Sequence, residues 1–293
     1  MERESLLTLL VILLGGAALQ PLAIFPLRSA ACSSRDAERQ AWLRLWLPVM
    51  PAMLVAAWLC GWAMREPDPV DDRLRQWVLI GACLPFAVVT ARAAFRAVWA
   101  LASDPSKAGA CTVGLLRPRV LFSPFLAKAL DDAALEAAWQ HEQAHARHRD
   151  PMRIWLAQLV TDLQWPWPGA VARFDAWLEA LECARDDEAR EHGAAGEDLA
   201  AALLVTLRHA KSGDAHDRPQ MAAMRAHAFL IKDRGALQRR IERLLAPLPD
   251  KQAPCASTFS GIEARFAGLL MMSGAFGALY GAPIVRHLLA WTS

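Results

Sequence analysis

Paired cysteines are missing from this sequence. The chain has six cysteines, and no two of them are close enough to form a CxxC pair. A disulfide framework and a cysteine-based zinc knuckle both depend on closely spaced cysteines, so neither is expected here.

A block of basic residues is missing as well. The formal net charge is only +2, and lysine and arginine are spread along the chain instead of being clustered. Proteins that bind nucleic acid usually concentrate basic residues on one face or along one helix. We therefore expect no direct contact with nucleic acid.

Apolar residues, by contrast, are abundant. They make up 55% of the 293 residues, and the mean hydropathy is +0.18. The twelve tryptophans are typical of chains that meet a membrane interface, where an amphipathic ring is stable at the level of the headgroups. Part of the chain is therefore expected to lie in a lipid bilayer.

Four apolar stretches are candidates for membrane spans. Residues 5–27 and 45–64 carry no charge, residues 77–91 can continue toward residue 101, and the fourth stretch is 266–285. A helix needs roughly 20 residues to cross about 30 Å of hydrocarbon. We predict a mainly α integral membrane protein with four transmembrane helices. The first helix is expected to be retained, since "MERES" lacks the net positive charge of a signal peptide.

The spans divide the chain into three predicted regions. These are a three-helix transmembrane region at 1–102, a domain at 103–262 and a fourth transmembrane helix at 263–293. The fourth helix carries Ser273, Gly277 and Gly281 at intervals of four residues, which allows another helix to approach closely. Such close packing would also allow an oligomer to form through this helix.

The domain at 103–262 is predicted to be helical, with a small β-hairpin at its start. Residues 110–123, "ACTVGLLRPRVLFS", place apolar β-formers on both sides of Arg117-Pro118-Arg119. Asp131-Asp132 can cap a helix that ends at Asp150-Pro151. Further helices are expected at about 152–165, from about 171, and twice within 196–245.

The stretch 141–150, "HEQAHARHRD", contains the pattern HExxH. His141 and His145 lie one helical turn apart, so both imidazoles can reach one zinc ion, and Glu142 would lie beside it as the general base. This arrangement is typical of zinc hydrolases, whereas a polar surface helix is the alternative explanation.

A catalytic zinc ion needs a third protein ligand. Pro151 stands where the extended histidine motif would need another ligand, and His148 would crowd one side of the ion. Glu182 of "ECARD" is the remaining candidate, and Asp186, four residues later, can accept a hydrogen bond from a ligating histidine. The alternative is that these acids form a solvated face. The later run "RRIER" is likewise interpreted as a solvated face, not as a substrate groove.

The order of these features resembles the BlaR/MecR-type membrane zinc metallopeptidases, the antirepressors of β-lactam sensing. The similarity covers three spans, "GLLRPRVLF", "HEQAHARHRD", "ECARDDEA", "LQRRIERLL" and a fourth span. It implies a gluzincin-type protease, HExxH…E, between the third and fourth spans. By this resemblance the zinc ligands are His141, His145 and Glu182, the catalytic base is Glu142, and Asp186 supports a ligand.

The resemblance also implies a function and a location. It implies an endopeptidase in the bacterial inner membrane that cleaves a regulatory protein, such as a transcriptional repressor, on the cytoplasmic side. Two departures are visible. Arg185 replaces a cysteine that is more frequent in the family, with no expected effect on the chemistry. No penicillin-binding domain follows residue 285 in this sequence, so a β-lactam receptor role is not expected.

The distribution of arginine predicts the same orientation. Excess Lys/Arg marks the cytoplasmic side of a membrane protein. The side that holds the domain carries seven arginines, and the opposite side carries five. The seven are Arg28, Arg35, Arg39, Arg44, Arg92, Arg96 and Arg265, and the five are Arg3, Arg65, Arg73, Arg75 and Arg286.

Two other functions remain as alternatives. A quality-control membrane protease of the HtpX type shares HExxH and a later ExxxD, but the order of the four spans disfavours it. A non-proteolytic signalling scaffold is the other, and the intact set of His141, Glu142, His145 and Glu182 argues against it.

Overall fold

The computed structural model describes residues 2–24, 33–65, 76–102, 110–167, 169–212, 234–247 and 262–290. These residues form eleven helices and one two-stranded antiparallel sheet, so the predicted mainly α fold with a small hairpin is confirmed. The first predicted domain boundary, after residue 102, adjoins residues outside the described ranges, and the second, after residue 262, falls at the start of the last helix.

Five helices contain or adjoin the predicted membrane region. They are α1 (Glu2–Ile24), α2 (Ser34–Trp46), α3 (Met50–Arg65), α4 (Gln76–Ala102) and α11 (Ile262–Ala290). The other six helices and the sheet belong to the segment between α4 and α11. They are β1 (Ala110–Val113), β2 (Arg119–Phe122), α5 (Pro124–Ala129), α6 (Asp132–Arg147), α7 (Asp150–Leu163), α8 (Gly169–Glu191), α9 (Gly196–Ser212) and α10 (Arg234–Leu245).

One helix of the described residues is long and apolar enough by itself to cross a membrane. It is α4, through Ile80–Trp99. The pair α2 and α3 meets the same criterion only when both helices are taken together, and they are bent by 57° at the break between them. The apolar parts of α1 and α11 are shorter, at Leu6–Pro21 and Gly268–Gly281. The structure therefore supports one or two membrane-crossing helices, and four spans remain a prediction.

The bend between α2 and α3 changes the second predicted span. Stretch 45–64 was expected to be one helix, but α2 ends at Trp46 and α3 begins at Met50. Leu45 and Val49 are fully buried in a core with Trp177 and Leu181 of α8, because burying these apolar side chains in the domain removes them from water. The chain leaves this core only after Val49.

The small residues of α11 lie against α3 of the same chain. A Cβ atom added to Gly277 would come within 2.0 Å of the carbonyl oxygen of Trp58, so only glycine permits this approach. Ser273 also donates a hydrogen bond of 2.8 Å to the carbonyl oxygen of Leu54. The predicted close helix packing is confirmed, and its partner here is α3.

The domain is anchored to α4 through α7. Arg96 of α4 donates a hydrogen bond of 2.5 Å to Asp162, and Trp155 donates one of 2.9 Å to the carbonyl oxygen of Ala93. The apolar helix predicted near 152–165 is therefore packed on a neighbour and begins at Asp150, two residues earlier than expected.

Helix α6 begins where the sequence predicted. The Asp131 carboxylate caps it by accepting a hydrogen bond of 2.8 Å from the amide of Ala134. Its buried face is formed by residues at helical spacing: Ala134, Ala137, Ala138, Glu142, Ala144 and His145. The helix ends at Arg147, and a single left-handed residue, Arg149, turns the chain into α7.

Candidate metal centre

The two histidines of HExxH and the glutamate of α8 meet at one point. The Nε2 atoms of His141 and His145 are 3.0 Å apart. Glu182 lies 3.5 Å from His141 Nε2 and 3.8 Å from His145 Nε2 through its two carboxylate oxygens. The three residues offer ligand atoms that all lie within 4.8 Å of one another.

These distances fit one small cation. A tetrahedral zinc ion with ligands at about 2.1 Å separates neighbouring ligand atoms by about 3.4 Å. The two imidazole nitrogens are 3.0 Å apart, and each lies 3.5 or 3.8 Å from a different oxygen of Glu182, so all three distances are close to that value. Two imidazole nitrogens and one carboxylate oxygen are also a donor set that zinc accepts readily. The site can therefore hold a metal ion of this size.

Asp186 lies beside the first histidine, where the sequence placed it. Its Oδ1 atom is 2.9 Å from His141 Nδ1, a contact that is an ion pair when the imidazole is protonated. Burial would lower the pKa of His141, but the carboxylates of Asp186 and Glu182 raise it to about 10. The electrostatic environment of the His141 ring therefore favours its protonated form.

Arg240 of α10 binds both acids of this cluster. Its Nη1 atom is 2.9 Å from Glu182, and Nε and Nη2 donate hydrogen bonds of 2.6 and 2.8 Å to the two oxygens of Asp186. Burial would raise the pKa of Asp186, but Arg240 and His141 lower it to about 2. Arg240 therefore keeps both carboxylates ionised in a buried place.

His145 is oriented by a different acid. Its Nδ1 atom lies 2.8 Å from Asp150, the first residue of α7. Arg185 of α8 holds Asp150 with hydrogen bonds of 2.5 and 2.9 Å, and both side chains are 1% exposed. Arg185, which was expected to have no effect on the chemistry, therefore holds the acid that contacts a candidate ligand.

Glu142 is buried beside the candidate ligands. Its Oε2 atom and its carbonyl oxygen lie 2.7 and 2.9 Å from the hydroxyl of Thr112 on β1. The hairpin thus supports the helix through the residue that the sequence assigns as the base. With Oε2 engaged by Thr112, the other oxygen remains for a water molecule.

A small pocket that is partly open to solvent lies over this cluster. His141, Glu142, Glu182, Asp186 and Arg240 line one side of it. The facing wall is largely apolar and comes mostly from α9, through Leu199, Ala202, Leu203 and Thr206. The polar groups are therefore reachable from one mouth.

The remaining candidates of the sequence lie elsewhere. His148 turns away from the cluster and contacts Glu188 at 2.7 Å. Asp187 and Glu188 point away from the candidate ligands, and they are buried, as are Glu182 and Asp186. The alternative of a solvated acidic face is therefore wrong, because α2, α6 and α10 cover this side of α8 with Ser34, Arg147 and Arg243.

Sequence reasoning missed Thr112, Asp150 and Arg240. Asp150 was noted only as a helix end, and "RRIER" was expected to be solvated, yet Arg240 is 7% exposed. A signal for Arg240 was present, since it falls on the same helical face as Ala236 and Leu244, which are both buried. An arginine on an apolar face needs buried acids.

Comparison of the chain with protein-family models, curated proteins and solved structures finds no match.

Proposed function

We propose that this chain is a membrane-bound zinc metalloendopeptidase of the HExxH…E type. The observation that carries the proposal is the convergence of His141, His145 and Glu182, whose ligand atoms lie within 4.8 Å of one another, with Glu142 buried beside them. Packing alone gives no reason to aim two imidazole nitrogens and a carboxylate at one point.

The bound zinc ion would supply a water molecule of lowered pKa and would polarise the scissile carbonyl. Glu142 would accept the proton of that water and deliver it to the leaving amine. Thr112 holds Oε2 of Glu142, so Oε1 is the oxygen that would take the proton. The apolar wall on α9 would exclude bulk water from the substrate.

The membrane setting suggests which substrates the site would reach. We infer four spans, with the site facing the cytoplasm, from the apolar stretches and the arginine distribution. The packing of α2 on α8 supports this proposal, because the connection between the first two predicted spans lies against the domain. A cytosolic or membrane-bound regulatory protein, such as a repressor, is then the proposed substrate, as in the family that the chain resembles.

The test compares the purified full chain with Glu142→Gln and Glu182→Ala. Glu142→Gln should keep one zinc ion but lose cleavage of a quenched fluorogenic peptide library, since an amide cannot accept the proton. Glu182→Ala should lose zinc, whereas Glu179→Ala, three residues earlier on α8, should keep it.

Three results would count against the proposal. Cleavage by Glu142→Gln at the wild-type rate would mean that another base operates. Full zinc occupancy in Glu182→Ala would remove this ligand from the site. A wild-type protein that binds zinc but cleaves no peptide or protein would favour the signalling scaffold instead.

A further inference from the structure

Arg173 of α8 is a buried cation without a matching acid. Its side chain is 8% exposed, and Nη2 donates one hydrogen bond of 2.5 Å to the neutral amide oxygen of Gln164. The Nε and Nη1 atoms are buried and have no hydrogen-bond partner among the residues that the structure describes. No described carboxylate lies within ion-pair distance of Arg173, in contrast to Arg185 and Arg240 of the metal centre.

The position of the Arg173 guanidinium makes the burial of its charge still less favourable. Arg173 reaches back along α8 to the first turn of this 23-residue helix, because a Cβ atom on Gly169 would lie 3.1 Å from Nη1. The N-terminal end of a helix carries a partial positive charge that favours anions and disfavours cations. A buried, unpaired cation at this end is unfavourable on both counts.

A second unsatisfied donor lies just before the same helix. The indole Nε1 of Trp167, two residues before α8, is buried without a hydrogen-bond partner among the described residues. Gly16 of α1 lies against it, with an ideal Cβ position 4.0 Å from that nitrogen. One turn further along α1, the Gln20 amide makes a hydrogen bond of 3.4 Å to Gln164 beside the guanidinium. The unsatisfied groups named here are all donors, so the missing partner is an acceptor with negative charge.

We propose that Arg173, Trp167 and the first turn of α8 form a binding site for a phosphate group. A phosphate offers several acceptor oxygens and a negative charge, which together match a guanidinium fork, an indole N–H and a helix N-terminus. Gln20, which is only half-buried, is the side chain that would move aside to admit it. This site is separate from the candidate metal centre and does not depend on zinc.

Two sources could deliver this group. On α1, the ideal Cβ position of Gly16 is 4.0 Å from Trp167 Nε1 and 3.8 Å from the carbonyl oxygen of Pro48, and Gly16 belongs to the apolar stretch Leu6–Pro21. The phosphate of an anionic lipid and free inorganic phosphate would satisfy the same donors. Both sources present the same phosphate chemistry, and the experiment below distinguishes them.

The experiment measures thermal unfolding of the full chain in neutral detergent, with wild type and Arg173→Met compared. Without added anion, Arg173→Met should be at least as stable as wild type, because the uncompensated charge is gone. Phosphatidylglycerol or inorganic phosphate should raise the Tm of wild type by about 5 °C or more near saturation and leave Arg173→Met unchanged. Phosphatidylcholine is the neutral-lipid control.

The pattern of shifts identifies the source. A shift with phosphatidylglycerol alone assigns a lipid headgroup, and a shift with inorganic phosphate assigns a soluble ligand. Arg35→Met is the matched control, because Arg35 is exposed and already paired with Glu191 at 2.7 Å, so its variant should keep the full shift.

Native mass spectrometry supplies a second readout that does not depend on the stability of the variant. Wild type should retain the anion that stabilises it. The absence of any shift or retained anion in wild type would overturn the proposal, as would equal shifts in wild type and Arg173→Met.

Discussion

Arg240 donates hydrogen bonds to both carboxylate oxygens of Asp186, from Nε at 2.6 Å and from Nη2 at 2.8 Å. Asp186 in turn lies 2.9 Å from the ring of His141. A cation on α10 therefore sets the position of an acid on α8, and that acid stands against a candidate ligand on α6. The candidate metal centre therefore depends on three helices that are far apart in sequence.

Removal of this arginine should destabilise the domain even without metal. Arg240→Met leaves Asp186 and Glu182 buried without their cation, and breaking a buried ion pair in this way costs about 3–5 kcal/mol. Unfolding should be followed in the presence of EDTA, so that zinc does not contribute. Arg239→Met is the control, since Arg239 forms a largely exposed pair with Glu179 and its loss should cost about 1 kcal/mol or less. Equal losses in the two variants would contradict the assignment.

The acids that support the histidines should tune zinc affinity. Asp186→Asn and Asp150→Asn remove the charges beside His141 and His145, and changes to such partners lower metal affinity or activity by about 10–100-fold. Competition with a fluorescent zinc chelator measures the effect. Asp187→Asn is the control on the same helix, because Asp187 bonds to Ser34 and Arg243 instead. Wild-type affinity in both Asp186→Asn and Asp150→Asn would contradict this role.

The hairpin should affect turnover more than metal binding. Thr112→Val removes the hydroxyl that holds Glu142 and keeps the shape of the side chain. A misplaced base should lower kcat by roughly 10–100-fold, with zinc content and KM unchanged. Thr112→Ser restores the hydroxyl and should recover most of the rate. An equally low rate in Thr112→Ser would assign Thr112 to packing.

The orientation of the domain can be tested by fusions. Alkaline phosphatase joined after Ser103 should be inactive, because we place this junction in the cytoplasm, and a fusion after Pro69 should be active. A green fluorescent protein fusion at each position gives the complementary signal. Activity after Ser103 with silence after Pro69 would invert the topology and exclude a cytosolic substrate.

Some structural features of this protein can be predicted from its sequence alone. The spacing of His141 and His145 puts both rings on one face of any helix, because the α-helix repeats every 3.6 residues. Asp131 marks the start of that helix, and the apolar runs around Arg117-Pro118-Arg119 mark the hairpin. These features depend on residues close in the chain, and the local geometry of the backbone is enough to predict them.

Other features required the tertiary structure. Glu182 and Asp186 face the histidines while Asp187 and Glu188 do not, and this depends on the angle at which α8 crosses α6. The burial of Arg240 depends on where α10 docks, and Asp150 reaches His145 only because the chain reverses at Arg149. Leu45 was expected in a membrane span and lies in the domain core. Each of these features is set by packing between segments that are distant in sequence. The hydrophobic effect is not directional, and the local periodicity of a helix does not specify which segment packs against it.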